Sequence, residues 1–173
     1  MCSLFCHLPV RQAITELPVV ADVTGGHMWN AGDHEVLSDM VANGGRAQMI
    51  SEADKDRARR LVALDYATIV PVNVTALTIE ITGRGRTAKV LADFGIWNPD
   101  FCAIEPQPSE MNGRWVIKVS TVSGSPVLLE IADATALVER LIEVGATLIA
   151  RQFEAEVERA RRYVSGRLFT EIG

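Results

Sequence analysis

Leu77-Thr78-Ile79-Glu80-Ile81-Thr82-Gly83-Arg84-Gly85-Arg86-Thr87-Ala88-Lys89-Val90-Leu91-Ala92-Asp93-Phe94 is the stretch on which the fold turns. Leu77, Ile79 and Ile81 alternate with Thr78 and Glu80. Ala88, Val90, Ala92 and Phe94 alternate with Thr87, Lys89, Leu91 and Asp93. A period of two puts each set on one face of a strand. Two such runs joined by Gly83-Arg84-Gly85-Arg86 predict a β-hairpin with a glycine-rich tip. Downstream, Phe101 to Glu105, Trp115 to Ser120 and Val127 to Ile131 are three more short runs. They are punctuated by Pro106-Gln107-Pro108, Asn112-Gly113 and Ser123-Gly124-Ser125. The expectation is an antiparallel meander of four to five strands over about residues 75–131, apolar on one face.

On either side of this region the period lengthens to that of a helix. Asp33 is a candidate N-cap for a short helix with Leu37, Met40 and Val41 on one face, stopped by Gly44-Gly45. Ser51 is the N-cap candidate of the next helix, and Glu52 and Asp54 put negative charge in its first turn. Leu61, Leu64, Ala67 and Thr68 recur at helical spacing, and Pro71 ends the segment. Beyond the strands, Asp133 is a cap candidate. An apolar stripe then runs from Leu137 through Leu141, Leu148, Ile149, Phe153 and Val157 to Val164. Unbroken, that helix would be roughly 46 Å long, more than a domain of this size covers, and Gly145 is the position at which it would split. The whole reads as a single α+β domain over residues 1–173, with a loosely patterned segment 1–50 and helices packing the meander.

The composition is that of a globular chain. Of 173 residues, 48% are hydrophobic and 23% charged, which excludes wholesale disorder and a fibrous repeat. The net charge of −5 argues against a surface built to bind nucleic acid. No stretch approaches the ~20 apolar residues of a membrane span. The three cysteines are an odd set with two near the start, a poor disulfide framework, so a reduced, cytoplasmic setting is expected.

Four groups of residues could carry chemistry. With Met1 removed, Cys2 would be an N-terminal nucleophile whose own α-amine serves as base. Met1-Cys2-Ser3-Leu4-Phe5 loosely resembles the opening of class II glutamine amidotransferases, a resemblance that implies an N-terminal-nucleophile hydrolase or amidotransferase-like activity. The family's Arg-Gly-Pro-Asp and Asn-Gly-Glu segments have no counterpart downstream. Cys2, Cys6, His7, His27 and His34, with Asp33 and Glu35 beside them, are metal-ligand types within one short region. They lack the spacing of two ligand pairs, so no metal or other cofactor is expected.

Arg84 and Arg86 at the hairpin tip, with Lys89 nearby, could grip a phosphate or carboxylate. The plain alternative is a soluble hairpin whose arginines discourage edge pairing. The arginines and glutamates from Arg151 to Arg167 read as a solvated, salt-bridged helix face.

No catalytic constellation is assembled by these motifs. The function expected is therefore that of a small non-enzymatic interaction or regulatory protein. It would bind a protein or small anionic partner through Arg84, Arg86 and Lys89, and form a homodimer through Leu148, Ile149, Phe153 and Val157. A Cys2 hydrolase and a nucleic-acid-associated regulator using Arg84 and Arg86 are the alternatives.

Overall fold

A computed structural model of the chain describes residues 29–71, 76–97, 99, 101–122 and 125–170. The elements run α1 (Ala31–Ala42), β1 (Arg46–Met49), α2 (Glu52–Ala63), β2 (Ala67–Val70), β3 (Leu77–Ile81), α3 (Gly83–Asp93), β4 (Phe101–Pro108), β5 (Trp115–Thr121), β6 (Val127–Glu130), α4 (Ile131–Glu143) and α5 (Thr147–Thr170). The strands form two antiparallel sheets of three, ordered β1-β3-β2 and β4-β5-β6.

The α+β class and the long C-terminal helix are as expected, but the single meander of four to five strands is not. The meander is confined to β4–β6. β3 belongs to the other sheet, where it pairs with two four-residue strands that the sequence pattern hid. The expected hairpin is also absent, because residues 83–93 form a helix.

The reason lies in what α3 touches. Ala88 and Ala92 are buried in a core made with α1, α2 and the first sheet, among Leu37, Met40, Leu61 and Ile79. Val90 and Leu91 are buried in a second core with Ile117, Leu137, Leu141 and Phe153. On a helix, positions two apart lie about 200° around the axis. A helix buried on two opposite sides therefore carries apolar residues at alternate positions, and α3 imitates a strand.

Caps set the ends of the helices. Asn30, rather than Asp33, caps α1: its side chain accepts from Gly32 and Asp33 N–H, and the Asp33 carboxylate returns a bond to Asn30 N–H. Ser51 caps α2 as expected, accepting from Asp54 N–H at 3.1 Å. α2 stops at Ala63, so Ala67 and Thr68 fall in β2 and Pro71 follows a strand. Each of α1 to α4 ends with an amide reaching back five residues: Gly45 to Met40, Tyr66 to Leu61, Ile96 to Leu91 and Ala146 to Leu141. The residue before that amide is left-handed in each case, Gly44, Asp65, Gly95 and Gly145.

At Gly145 this turn breaks the long helix, and α5 folds back along α4, with Arg161 Nη2 donating to Thr135 Oγ1 at 3.0 Å. Phe153, Val157 and Ala160 thereby reach the face of the second sheet, on the rungs Ile104–Val119–Val127 and Pro106–Ile117–Leu129. Most of the stripe is spent inside the chain: Phe153 and Val157 are buried in its own core and Ile149 is half-buried, while Leu148, 77% exposed, and Val164 remain open.

Candidate functional site

β3 delivers its last residue, Ile81, between the beginnings of β1 and β2. Ile81 N–H donates to Gly45 O at 2.8 Å, and Thr82 N–H to Tyr66 O at 3.0 Å. Thr82 then caps α3. Its hydroxyl accepts from Gly85 N–H at 3.0 Å and donates to Asp65 O at 2.7 Å. Gly85 is fixed by this approach, since any Cβ there would collide with the Tyr66 carbonyl. Gly83 is different, with open space where its Cβ would stand.

Arg84 and Arg86 project from this helix start on opposite sides. The Arg84 guanidinium lies over the Tyr66 ring, 5.9 Å from its centre. Arg86 crosses Gly45, whose Cβ would stand 2.9 Å from Nη2. Among the described residues neither arginine pairs with a carboxylate, and the first turn of α3 holds no acidic residue. The exposed Asp65 stands at the same end of the sheet. Two cations thus sit at the positive end of a helix dipole, which costs about 0.3–1 kcal/mol each near a surface.

Lys89, the third expected member, is turned the other way. It pairs with Asp93 at 2.6 Å, one turn on. Asp93 is the hub of a second cluster. Its carboxylate also meets His34 Nε2 of α1 at 2.8 Å and, more distantly, Arg140 of α4 at 3.9 Å. His34 in turn lies against the rings of Trp29 and Trp97, and the Trp29 indole N–H donates to Trp97 O. An acid at the negative end of α3 is as ill-placed as arginines at its positive end, but here the cations Lys89 and Arg140 and a contact with the His34 ring offset it.

A His–Asp contact can orient a general base. The nearest hydroxyl on the same helix, Ser38, donates to the His34 backbone carbonyl at 2.9 Å. Cys102, exposed on β4, donates to Ser120 O instead. Trp29, His34, Tyr66 and Trp97 pack at centroid separations of 5.5–6.0 Å, so the rings fill one another's space.

Of the candidate ligands Cys2, Cys6, His7, His27 and His34, only His34 lies within the described residues, and the nucleophile candidate Cys2 lies outside them. Among the described residues no group of three His, Cys, Asp or Glu converges as a metal site. Asp93, Arg140, Trp29 and Trp97 escaped the sequence reading, since their roles come from contacts between helices. Only the four-residue spacing of Lys89 and Asp93 was a local signal, and it required α3 to be seen as a helix.

A family model described as DUF3860-like matches residues 30–91. The match runs from the α1 cap almost to the end of α3, and so includes His34, Arg84, Arg86 and Lys89 but neither Asp93 nor Arg140. No curated protein and no solved structure matches the chain.

Proposed function

We propose that this chain is a non-enzymatic binding module that receives an anionic group, a carboxylate or phosphate of its partner, at the amino end of α3. The observation that carries the reading is the contrast between the two ends of that helix. At the carboxyl end the misplaced charge of Asp93 is met by His34, Lys89 and Arg140. At the amino end Arg84 and Arg86 form no ion pair among the described residues, although Asp65 stands nearby. An arriving anion gains the Gly83 and Arg84 N–H groups that the Thr82 cap leaves, the dipole, and a guanidinium group on either side. Lys89 contributes nothing directly, since Asp93 holds it.

The net charge of −5 favours an acidic protein segment or small anion over nucleic acid. Among the described residues no helix is long and apolar enough to cross a membrane. A cytosolic setting is inferred from the cysteine arithmetic.

The test is an amide-shift titration with inorganic phosphate in one arm and an oligoglutamate peptide in another. Shifts centred on Gly83 and Arg84 are expected, weakening at least about tenfold on replacing Arg84 and Arg86 with Ala and falling with added salt. Shifts elsewhere, or shifts indifferent to the double replacement, overturn the reading. A stronger response to an oligonucleotide arm would favour the nucleic-acid alternative.

A further inference from the structure

β4 is the longest strand among the described residues, and it stands at the edge of its sheet. β5 takes one side of it, and no described strand takes the other. An open edge is a row of unpaired N–H and C=O groups, ready to pair with another extended segment. The far half of this edge is guarded, because Pro106 and Pro108 have no N–H to offer a neighbour. The near half is not. Along residues 101–104 a groove of about 510 Å3 opens between β4 and α5, its second wall made by Arg151, Gln152, Ala155 and Glu156. Cys102 and Ala103 are exposed there. Arg151 and Glu156 are of opposite charge, and Glu156 also meets Arg159 at 3.0 Å, so the groove presents no strong field of one sign.

The chain itself carries a segment that suits this edge. In Ser3-Leu4-Phe5-Cys6-His7-Leu8 the residues Leu4, Cys6 and Leu8 alternate with Ser3, Phe5 and His7, and Pro9 follows. A period of two is strand patterning. No Asp, Glu, Lys or Arg occurs before Arg11, as a groove without a dominant charge asks. Residues 1–28 join the described fold at Trp29, whose indole N–H donates to Trp97 O. Phe101, the first residue of β4, is four residues beyond Trp97, a reach of at most about 14 Å. A coil of about 20 residues, the length of 9–28, averages roughly 25 Å end to end, so the tether is long enough.

We propose that residues 3–8 add to the open edge of β4 as a fourth strand of the second sheet, with Leu4, Cys6 and Leu8 turned into the groove over Ile104 and Ala155. The point of attachment selects this occupant over a second copy of the chain or a separate peptide. The tether ends beside the start of β4, and a tethered segment acts at an effective concentration of roughly millimolar. The stop at Pro9 matches the short stretch of edge that Pro106 leaves unguarded. The added strand closes an edge that would otherwise pair with another chain. It is independent of the anion-binding reading, which concerns the start of α3.

The experiment is amide hydrogen exchange of the full chain, read residue by residue at two protein concentrations. A free edge protects only the β4 amides bonded to β5, whereas an added strand protects the alternate, outward set in residues 101–105 as well. Leu4→Pro/Cys6→Pro removes two N–H groups and breaks the added strand. It should speed exchange of the outward set at least about tenfold and leave the β5 amides unchanged. If circular dichroism shows that variant to be unfolded, Leu4→Ser/Leu8→Ser replaces it and should speed the same amides at least about threefold. Outward amides that exchange freely in the wild type, or protection that survives the substitutions, overturns the proposal. Protection that grows with protein concentration, together with a sedimenting mass above 18.9 kDa, gives the edge to a second copy and overturns it too.

Discussion

Arg60 Nη2 meets the Asp33 carboxylate at 2.7 Å, and that carboxylate has no exposure to solvent. The same Asp33 closes the capping box of α1, so one side chain ties the start of that helix to the last turn of α2. The hydrogen bond to Asp33 is the chief cause that raises the Arg60 guanidinium above the ordinary arginine range.

Replacing Arg60 with Met should destabilise the fold by about 3 kcal/mol in urea, the low end for a broken buried pair, since Arg60 is itself 30% exposed. Asp33→Leu combined with Arg60→Met should cost less than the sum of the single changes. A raised folded pKa contributes stability below the unfolded value and loses it only as pH rises through the folded one. This pair is therefore insensitive to pH from about 7 to about 10, and the wild-type-to-Arg60→Met difference should be flat across that range.

The glycines of α3 should behave oppositely. Gly85→Ala drives a methyl group into the Tyr66 carbonyl, and a loss of about 1–3 kcal/mol is expected from the forced shift. Gly83→Ala meets nothing, and its melting temperature should stay level or rise, in keeping with a gain of up to about 1 kcal/mol. Thermal melts of the two variants side by side check this.

Phe153→Ala should cost about 3–5 kcal/mol, whereas Leu148→Ala should change stability by less than about 0.5 kcal/mol. The first side chain is enclosed and packs edge-on against Phe101 at 5.8 Å, and the second is largely in water. Urea midpoints distinguish them, and a tolerant Phe153 would contradict the packing of α5 on the second sheet.

Among the described residues Asp65 is the one non-glycine residue that ends a helix in the left-handed region, with φ 60°. Asp65→Gly should raise the unfolding free energy by about 0.5–1 kcal/mol, because an L side chain is strained there. It also removes a negative charge beside the start of α3, so phosphate binding measured in the same variant should tighten.

What could be read from the sequence followed from how local each cause is. The Ser51 cap, the Gly44-Gly45 stop, the Gly145 break and the runs of β4 to β6 depend on neighbours in the chain, and they stand out in the sequence. The strands Arg46–Met49 and Ala67–Val70 are too short to show a period, and they exist because Ile79 pairs with Ala47 on one side and Ile69 on the other. Residues 87–94 misled because burial of α3 on two sides reproduces alternation. Arg84 and Arg86 were legible as two candidate anion-binding cations on a glycine-rich segment. Their place on a helix start, and the withdrawal of Lys89 to Asp93, depended on elements far along the chain.

Because Ala88 and Ala92 belong to one core while Val90 and Leu91 belong to the other, neither core can open fully without stripping one side of α3. Opening free energies of separate cooperative units ordinarily differ. Amides in the middle of α3 are exposed only when both have let go, so their deuterium uptake should be the slowest in the chain and track global unfolding. The outer strands β1 and β6, four residues each, should exchange by local fraying long before. In kinetic terms the helix makes the two cores share a single clock.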